Sequence, residues 1–417
     1  MARGCVGRER NILLRINGVA IHFTSEWNML EPFHIAVPDD VLDDLHRRLL
    51  KARLPPDADA AGWDDGTEPS YLKNLIAYWR TEYQWRAQER ELNRFRHFHT
   101  TVDGTRLHLI YERGVGANPM PLVLTHGYPD CFYRFHKLIP LLTDPLSHGG
   151  DAADAFDVVV PSLPGYAFSE PRPESGGAFG FGDLWHRLMT EELGYQRYGA
   201  HGGDWGSTVT EHLARSHSSA VIGIHITDIP FWHTFQKPSH PSRAEQQFLQ
   251  HIQHFQMQDG AYAMIQGTRP RTPAPALNDS PAGLAAWIVE KFWEWSDCDG
   301  NLESRFSKDE ILTNVMIYWV TETIGSSFQP YRDFTKAGAA RWIKEAAKGW
   351  IGSARTPTGI AIFPKDIATP PREWAERFYN VQRWTVMPGG GHFAAMEEQV
   401  RLAEDIRAFF RPLRLHA

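Results

Sequence analysis

The hydrophobic pattern near the start of the chain is helical. Apolar residues recur every three or four positions between Val41 and Leu49, and again between Tyr71 and Tyr83. This spacing places them on one face of a helix. A proline and two aspartates at positions 38–40 provide a helix start before the first stripe. We therefore predict that residues 32–96 form an N-terminal helical extension that packs on the core.

The residues before this extension, 1–31, are predicted to be a tail. Residues 12–23 contain an Asn17-Gly18 pair flanked by apolar residues, which fits a β-hairpin. They also fit an irregular extension, and the weak order typical of chain ends favours this second interpretation.

From residue 97 onward the pattern changes to short apolar runs. Residues 97–112 alternate around Asp103-Gly104 and predict a hairpin. Further buried strands are predicted at residues 121–125, 157–160, 197–201, 221–228, 358–363 and 384–387. Helical segments lie between them, and this alternation indicates a parallel sheet with right-handed crossovers.

Residues 229–340 interrupt that alternation. The segment is rich in aromatic residues, helical in pattern, and has prolines clustered between Pro270 and Pro275. We interpret it as an inserted helical cap over a core formed by residues 97–228 and 341–417. The predicted fold is therefore α/β, with a mostly parallel central sheet, helices on both faces, an inserted cap and an N-terminal helical extension.

Composition narrows the functional classes. The chain has 417 residues, 42% of them hydrophobic, which suits a large α/β domain with insertions. The net charge of −7 argues against a nucleic-acid partner. Three cysteines, Cys5, Cys131 and Cys298, make no disulfide framework and indicate a reducing, cytoplasmic setting. No apolar run approaches the roughly 18 residues of a membrane span, so we expect a soluble protein.

One short stretch has the composition of a catalytic turn. Gly202, Gly203 and Gly206 surround Asp204-Trp205 between a predicted strand and a predicted helix. Small residues there permit a sharp strand-to-helix turn, which resembles the nucleophile elbow of α/β-hydrolases with aspartate in place of serine. A carboxylate can attack an sp³ carbon, such as that of an epoxide or an alkyl halide, and form an ester. The simpler alternative is a glycine-rich loop in which Asp204 caps the next helix.

Two later residues complete a candidate triad with Asp204. His392 follows a predicted strand within a run of glycines, and Asp366 ends the preceding strand. The chain order Asp204, Asp366, His392 is that of the α/β-hydrolase triad. In it, Asp366 would hold the Nδ1–H of His392 and fix its tautomer. Asp228, at the end of the strand after the elbow, is the alternative partner for the histidine.

The turn after the first parallel strand is a candidate oxyanion hole. His126-Gly-Tyr-Pro129 closes that strand. The backbone N–H groups of Tyr128 and Trp205 could together bind an oxyanion.

The whole chain resembles an epoxide hydrolase of the α/β-hydrolase superfamily, in the microsomal-type branch with an N-terminal helical extension. The resemblance covers roughly residues 32–412. The matching segments are 33–38, 126–129, 161–166, 202–206, 265–266, 279–285, 313–316 and 390–395.

The resemblance implies two cap tyrosines that donate hydrogen bonds to the epoxide oxygen, and by motif these are Tyr262 and Tyr331. It also implies an apolar epoxide and water as substrates, no metal or organic cofactor, and a homodimer as one possible assembly. Two positions depart from the family pattern. Tyr128 stands where tryptophan is usual, and Asp130 where glycine is common. Animal microsomal members carry a membrane anchor, which this N-terminus does not resemble.

Two other functions compete with epoxide hydrolysis. A haloalkane dehalogenase has a similar elbow, with aspartate followed by tryptophan, but would need halide-binding donors instead of a tyrosine pair. A catalytically inactive binding module would lack a triad member, and none is missing from the sequence. We therefore predict an epoxide hydrolase that forms an ester on Asp204 and hydrolyses it with water activated by His392.

Overall fold

The strands of the protein form one large sheet and one separate hairpin. The computed structural model describes residues 13–16, 19–22, 30–55, 62–172, 177–336 and 354–416. The strands are β1 (Leu13–Ile16), β2 (Val19–His22), β3 (Glu31–Phe33), β4 (His97–Val102), β5 (Thr105–Glu112), β6 (Met120–Thr125), β7 (Phe156–Pro161), β8 (Tyr198–Gly202), β9 (Val221–Ile226), β10 (Ala354–Ile362) and β11 (Tyr379–Val386).

Helices account for most of the remaining regular structure. They are α1 (Asp39–Leu50), α2 (Pro69–Thr81), α3 (Trp85–Leu92), α4 (Leu138–Thr143), α5 (Gly177–Arg187), α6 (Trp205–Ser216), α7 (Arg243–Gln258), α8 (Ala261–Thr268), α9 (Ala274–Asp279), α10 (Pro281–Glu294), α11 (Lys308–Thr321), α12 (Arg372–Ala375), α13 (Ala394–Glu397) and α14 (Gln399–Phe410). Residues 329–336 are also helical. Among the helices of the described ranges, none is both long and apolar enough to cross a membrane.

The central sheet has nine strands in the order β11-β10-β9-β8-β6-β7-β5-β4-β3. Strands β6 to β11 pair in parallel, whereas β5, β4 and β3 are added antiparallel at one edge. Every residue of β7, β8 and β9 is buried, as expected for parallel strands covered on both faces. The mostly parallel sheet is confirmed, and β8 lies in its interior between β6 and β9.

Helices cover both faces of this sheet. Helices α5 and α6 pack together on one face, and α4 and α14 pack together on the other. Glycines in β8 and β9 let α14 approach closely, because a Cβ at Gly199 would lie 2.7 Å from Phe410 and one at Gly223 would lie 3.2 Å from Phe409. Between β9 and β10, the described residues form helices and turns without a strand.

The N-terminal helices contact helices that come much later in the chain. Helices α1, α2 and α3 pack against α10 or α11. The Tyr83 hydroxyl forms a buried hydrogen bond of 3.1 Å with Thr313 on α11. The extension therefore braces the helical segment that follows β9.

Two details near the N-terminus differ from the pattern-based interpretation. Strands β1 and β2 pair antiparallel, so of the two alternatives for residues 12–23 the structure has the hairpin; Asn17 and Gly18 lie outside the described residues. Residues 31–33 form an unpredicted strand at the edge of the sheet, paired with β4.

Candidate active site

The turn between β8 and α6 presents Asp204 in a strained conformation. Its φ is 58° and its ψ is −128°, and α6 begins at the next residue. A non-glycine residue in this region costs on the order of 1–3 kcal/mol and persists only where its surroundings enforce it. A Cβ at Gly206 would lie 2.0 Å from the carbonyl oxygen of Thr125. Only glycine there allows the first turn of α6 to pack against β6.

His392 lies between two carboxylates. Its Nδ1 is 2.8 Å from Oδ1 of Asp366, and its Nε2 is 3.5 Å from Oδ2 of Asp204. The structure thus brings together the three residues of the predicted triad. In the sequence, Asp366 precedes His392 by 26 positions and Asp204 precedes it by 188. The imidazole is almost fully buried, with 1% of the side chain exposed.

The charge of His392 follows from these neighbours. Burial alone would lower its pKa, but the negative charges of Asp366 and Asp204, with their hydrogen bonds, outweigh burial and raise the pKa to about 10. The imidazole is therefore protonated at neutral pH in the resting enzyme. It can act as a base only after one of these charges is removed.

Asp228 is directed at the elbow backbone. Its Oδ1 accepts a hydrogen bond of 2.7 Å from the Asp204 N–H and one of 2.6 Å from the Ser207 hydroxyl. Burial, and then the negative charge of Asp366, raise the pKa of Asp228 to about 7. In this arrangement Asp228 braces the turn, and the carboxylate that is hydrogen-bonded to His392 is Asp366.

The loop after β6 supplies a donor to the same site. The Tyr128 N–H donates a 2.8 Å hydrogen bond to Oδ1 of Asp204, and Trp205 is the first residue of α6, directly after the carboxylate. A Cβ at Gly127 would lie 2.2 Å from Oδ1 of Asp204, so glycine permits this close approach. The phenol of Tyr128 accepts a 2.6 Å hydrogen bond from the Trp287 indole.

A buried ion pair, which the sequence did not predict, connects the loop after β6 to the loop between β11 and α13 that holds His392, here called the histidine loop. Asp130 accepts from the Gly127 N–H at 3.0 Å and from Arg134 at 2.5 Å. Arg134 in turn donates to the carbonyl oxygen of His392 at 2.6 Å. The aspartate that departs from the family pattern thus has a partner in this chain, the arginine four residues later.

The histidine loop has a second anchor in Glu397. Its carboxylate accepts from the N–H groups of Gly391 and Phe393, each at 2.9 Å. The N–H of His392 itself donates to the carbonyl of Trp295 at 2.7 Å. Backbone contacts on both sides therefore fix the position of the imidazole.

The two predicted tyrosines lie side by side above the elbow. Tyr262 is on α8 and Tyr331 is in the helical residues 329–336, and their ring centres are 5.8 Å apart. The Tyr331 ring is 5.0 Å from that of Trp205, and the Tyr262 ring stacks 6.0 Å from that of Tyr128. Burial first, and then nearby groups that include Asp204, raise the pKa of both phenols well above the usual value. Both remain hydrogen-bond donors across the neutral range.

A cavity of about 800 Å³ lies beside this site and is lined in part by Tyr262 and Asp366. Part of its wall comes from Trp63 of the N-terminal extension, which stacks on Trp293 at 4.3 Å. Besides Asp366, the cavity is lined by five acidic residues and two lysines. The acidic residues are Asp64, Asp65, Asp259, Glu290 and Glu294, and the lysines are Lys291 and Lys365.

Comparison with known proteins identifies the family. The profile described as "Epoxide hydrolase N terminus" matches residues 30–135, and the one described as "alpha/beta hydrolase fold" matches residues 120–280. Epoxide hydrolase 1 of Sus scrofa is 37% identical over 92% of this chain and 89% of its own length. This chain belongs to the epoxide hydrolase family. Among solved structures, the Aspergillus niger epoxide hydrolase superposes with a TM-score of 0.81 at 28% identity, covering 94% of this chain and 98% of the other.

A second structural relative extends the comparison to insects. The crystal structure of juvenile hormone epoxide hydrolase from Bombyx mori has a TM-score of 0.82 and 27% identity, over 94% of this chain and 96% of that one. The predicted α/β-hydrolase fold and epoxide hydrolase activity are confirmed, in preference to a haloalkane dehalogenase or an inactive module. The protein is an enzyme that hydrolyses epoxides.

Proposed function

We propose that this epoxide hydrolase works through a covalent ester on Asp204. The observation that supports the proposal is the placement of that carboxylate, with one oxygen on the Tyr128 N–H and the other 3.5 Å from His392. In the first step a carboxylate oxygen of Asp204 attacks an epoxide carbon from the side opposite the ring oxygen. The carbon–oxygen bond breaks as the new ester bond forms.

Tyr262 and Tyr331 stabilise the oxygen that leaves the ring. Negative charge develops there in the transition state, and two preorganised phenol donors lower its energy without being ionised themselves. The alkoxide then gains a proton through these phenols and becomes a hydroxyl. Ester formation removes the negative charge of Asp204, which had favoured the protonated form of His392. His392 therefore releases the proton that it holds in the resting enzyme, and this proton neutralises the alkoxide.

Hydrolysis of the ester uses the imidazole that has become neutral. His392, oriented by Asp366, takes a proton from water, and the hydroxide adds to the ester carbonyl. Backbone N–H groups of Tyr128 and Trp205 bind the resulting oxyanion. When the intermediate collapses, the diol alkoxide takes the proton of the new Asp204 carboxylic acid. The vicinal diol leaves and the charged resting state returns.

The cavity supports a neutral apolar epoxide as substrate. Its tryptophans provide apolar surface, whereas its carboxylates outnumber its lysines five to two besides Asp366. An anionic substrate would meet repulsion on entry. Comparing kcat/KM for an epoxy fatty acid and its methyl ester tests this, and we expect the ester to be preferred. The same measurement with styrene-type and terpene epoxides would show which class of apolar epoxide is preferred.

Cellular location and assembly remain part of the proposal. The cysteine content supports a reducing, cytoplasmic setting, and Cys131 and Cys298 are both free thiols. A homodimer stays a prediction, which light scattering after size-exclusion chromatography would test.

The His392→Gln variant tests the proposed order of steps. It should still form the ester, because the two phenols stabilise the ring oxygen and solvent can supply its proton, but it should fail to hydrolyse the ester because it lacks the base of the second step. Intact-protein mass spectrometry should detect the enzyme with one substrate attached. Asp204→Asn is the matched control and should gain no mass. A His392→Gln protein that is folded, inactive and unmodified would contradict the mechanism.

A further inference from the structure

Two histidines and an aspartate converge at a second place in the fold, away from the elbow. Asp183 lies on α5, His212 lies on α6, and His217 directly follows α6. The Nε2 atoms of both histidines are 2.8 Å from the same oxygen, Oδ1 of Asp183. The three donor atoms all lie within 4.8 Å of one another. His212 is eight residues after Asp204, or about 12 Å along the helix at 1.5 Å per residue.

The surrounding residues hold this geometry. A Cβ at Gly182 would lie 2.6 Å from Cδ2 of His212, so glycine is required for the ring to reach Asp183. The ring of His217 stacks on that of His186 at 3.9 Å, with an angle of 12° between them. His186 itself is fixed by a 3.1 Å hydrogen bond with the Tyr198 hydroxyl. The two imidazoles are thereby oriented from two sides before any ligand binds.

We propose that Asp183, His212 and His217 form a binding site for a zinc-type divalent cation. Two imidazole nitrogens and one carboxylate oxygen are a donor set that suits Zn²⁺ and neighbouring late transition metals, whereas Mg²⁺ and Ca²⁺ prefer oxygen ligands alone. The side chain of Asp183 is 58% exposed and that of His217 is 22% exposed, so water can enter and complete the coordination.

Metal binding there would require only a small adjustment. Ligand atoms at about 2.0–2.2 Å from a tetrahedral Zn²⁺ are separated by somewhat more than 3 Å, so the two nitrogens would move outward from Oδ1 by a few tenths of an ångström. Each histidine would present its Nε2 as a lone pair, with its proton on Nδ1. The ion would then join α5 to the end of α6, the helix whose other end presents Asp204.

The site is a stabilising one and takes no part in epoxide chemistry. Zn²⁺ should therefore raise the melting temperature of the protein with the logarithm of its free concentration once that exceeds the dissociation constant, because a ligand that binds only the folded state stabilises it. Diol formation after removal of metal by EDTA should continue at an unchanged rate. This inference is independent of the proposed ester on Asp204.

Calorimetric titration of the untagged, EDTA-treated enzyme with ZnCl₂ tests the proposal. We expect one tight site per chain, and tetrahedral or five-coordinate visible bands when Co²⁺ replaces Zn²⁺. Asp183→Asn and His217→Gln should each weaken binding by at least about 100-fold, since even outer-shell changes cost about 10–100-fold. His148→Gln, which removes an exposed histidine elsewhere, is the matched control and should bind like the unaltered enzyme.

The result that overturns the proposal is equally specific. Tight Zn²⁺ binding that is unchanged in both variants would place the ion elsewhere on the protein, and the lack of a tight site in the unaltered enzyme would show that the three residues form only a hydrogen-bonded cluster. Circular dichroism and epoxide turnover of each variant establish that it is folded, so that a loss of binding can be assigned to the missing ligand.

Discussion

Neutralising Asp204 should convert His392 from an acid into a base. The variant Asp204→Asn keeps the shape of the side chain and removes its charge, as formation of the proposed ester would. The two charged groups are 3.5 Å apart in the resting enzyme. At an effective dielectric constant of about 20, unit charges at that distance attract by about 5 kcal/mol, or about 3.5 pKa units.

The pKa of His392 should therefore fall from about 10 to about 6.5 in this variant. Asp366 still raises it, and burial still lowers it, so the value returns close to that of a free imidazole. Selective ¹⁵N-histidine NMR over a pH series measures the change, and the His392→Gln spectrum assigns the resonance. A pKa in Asp204→Asn within one unit of the unaltered enzyme would refute the charge-coupling argument.

The same coupling predicts how stability depends on pH. Folding raises the pKa of His392 above its unfolded value, so the protonated imidazole stabilises the native state fully below about pH 6.5. That contribution is lost as pH rises from there through about 10. Urea titrations at several pH values should show this loss in the unaltered enzyme. In Asp204→Asn, folding should scarcely change the pKa of His392, so the His392-linked loss should be nearly absent.

Substitutions at four further residues test other parts of the site. Asp366→Asn should slow ester hydrolysis by orders of magnitude, since the equivalent change costs about 10⁴-fold in the serine proteases. If Asp366→Asn hydrolysed the ester at a near-normal rate and Asp228→Asn did not, Asp228 would be the residue that orients His392. Tyr262→Phe and Tyr331→Phe should each slow alkylation by about 10²–10³-fold by analogy with one oxyanion donor, and rapid-quench kinetics of the folded double variant should show almost none. Asp130→Gly should lower the free energy of unfolding by about 3–5 kcal/mol because it leaves Arg134 charged and buried, and urea denaturation that shows no loss would contradict that.

The sheet and the residues at its strand ends were predictable because their signals are local. An apolar run followed by a polar residue marks the carboxyl end of a parallel strand, and Asp204, Asp366 and His392 all follow such runs. Parallel strands bring these ends to one edge. The chemical roles of the three residues, and of the two tyrosines, stay predictions that the kinetics above address.

Features that depend on tertiary packing were not predictable from the pattern. The strand Glu31–Phe33 is three residues long and largely exposed, so it has no alternation to detect. Val400 follows the buried Met396 by four residues, a helical spacing, and yet it is 52% exposed. Two separate helices meet at Glu398, whose φ of −135° breaks the helical phase.

Buried charges were the other class that the sequence did not reveal. From the sequence alone, Arg134 and Glu397 would be expected at the surface. In the structure, both are buried against backbone groups of the histidine loop. A charged residue at such a position is stabilised by partners brought from distant parts of the chain. Asp130 and Arg134 are four residues apart, and this spacing is the one signal that could have suggested the pair.

The most direct test of the account is a single turnover in ¹⁸O-labelled water with enzyme in excess over epoxide. An ester on Asp204 is hydrolysed by attack on its carbonyl carbon, so the oxygen added to the product comes from the carboxylate. The first diol should therefore contain no ¹⁸O, and mass spectrometry of the peptide containing Asp204 should show the label there. ¹⁸O in the diol of the first turnover, with an unlabelled Asp204, would mean that water attacks the epoxide directly and would contradict the mechanism.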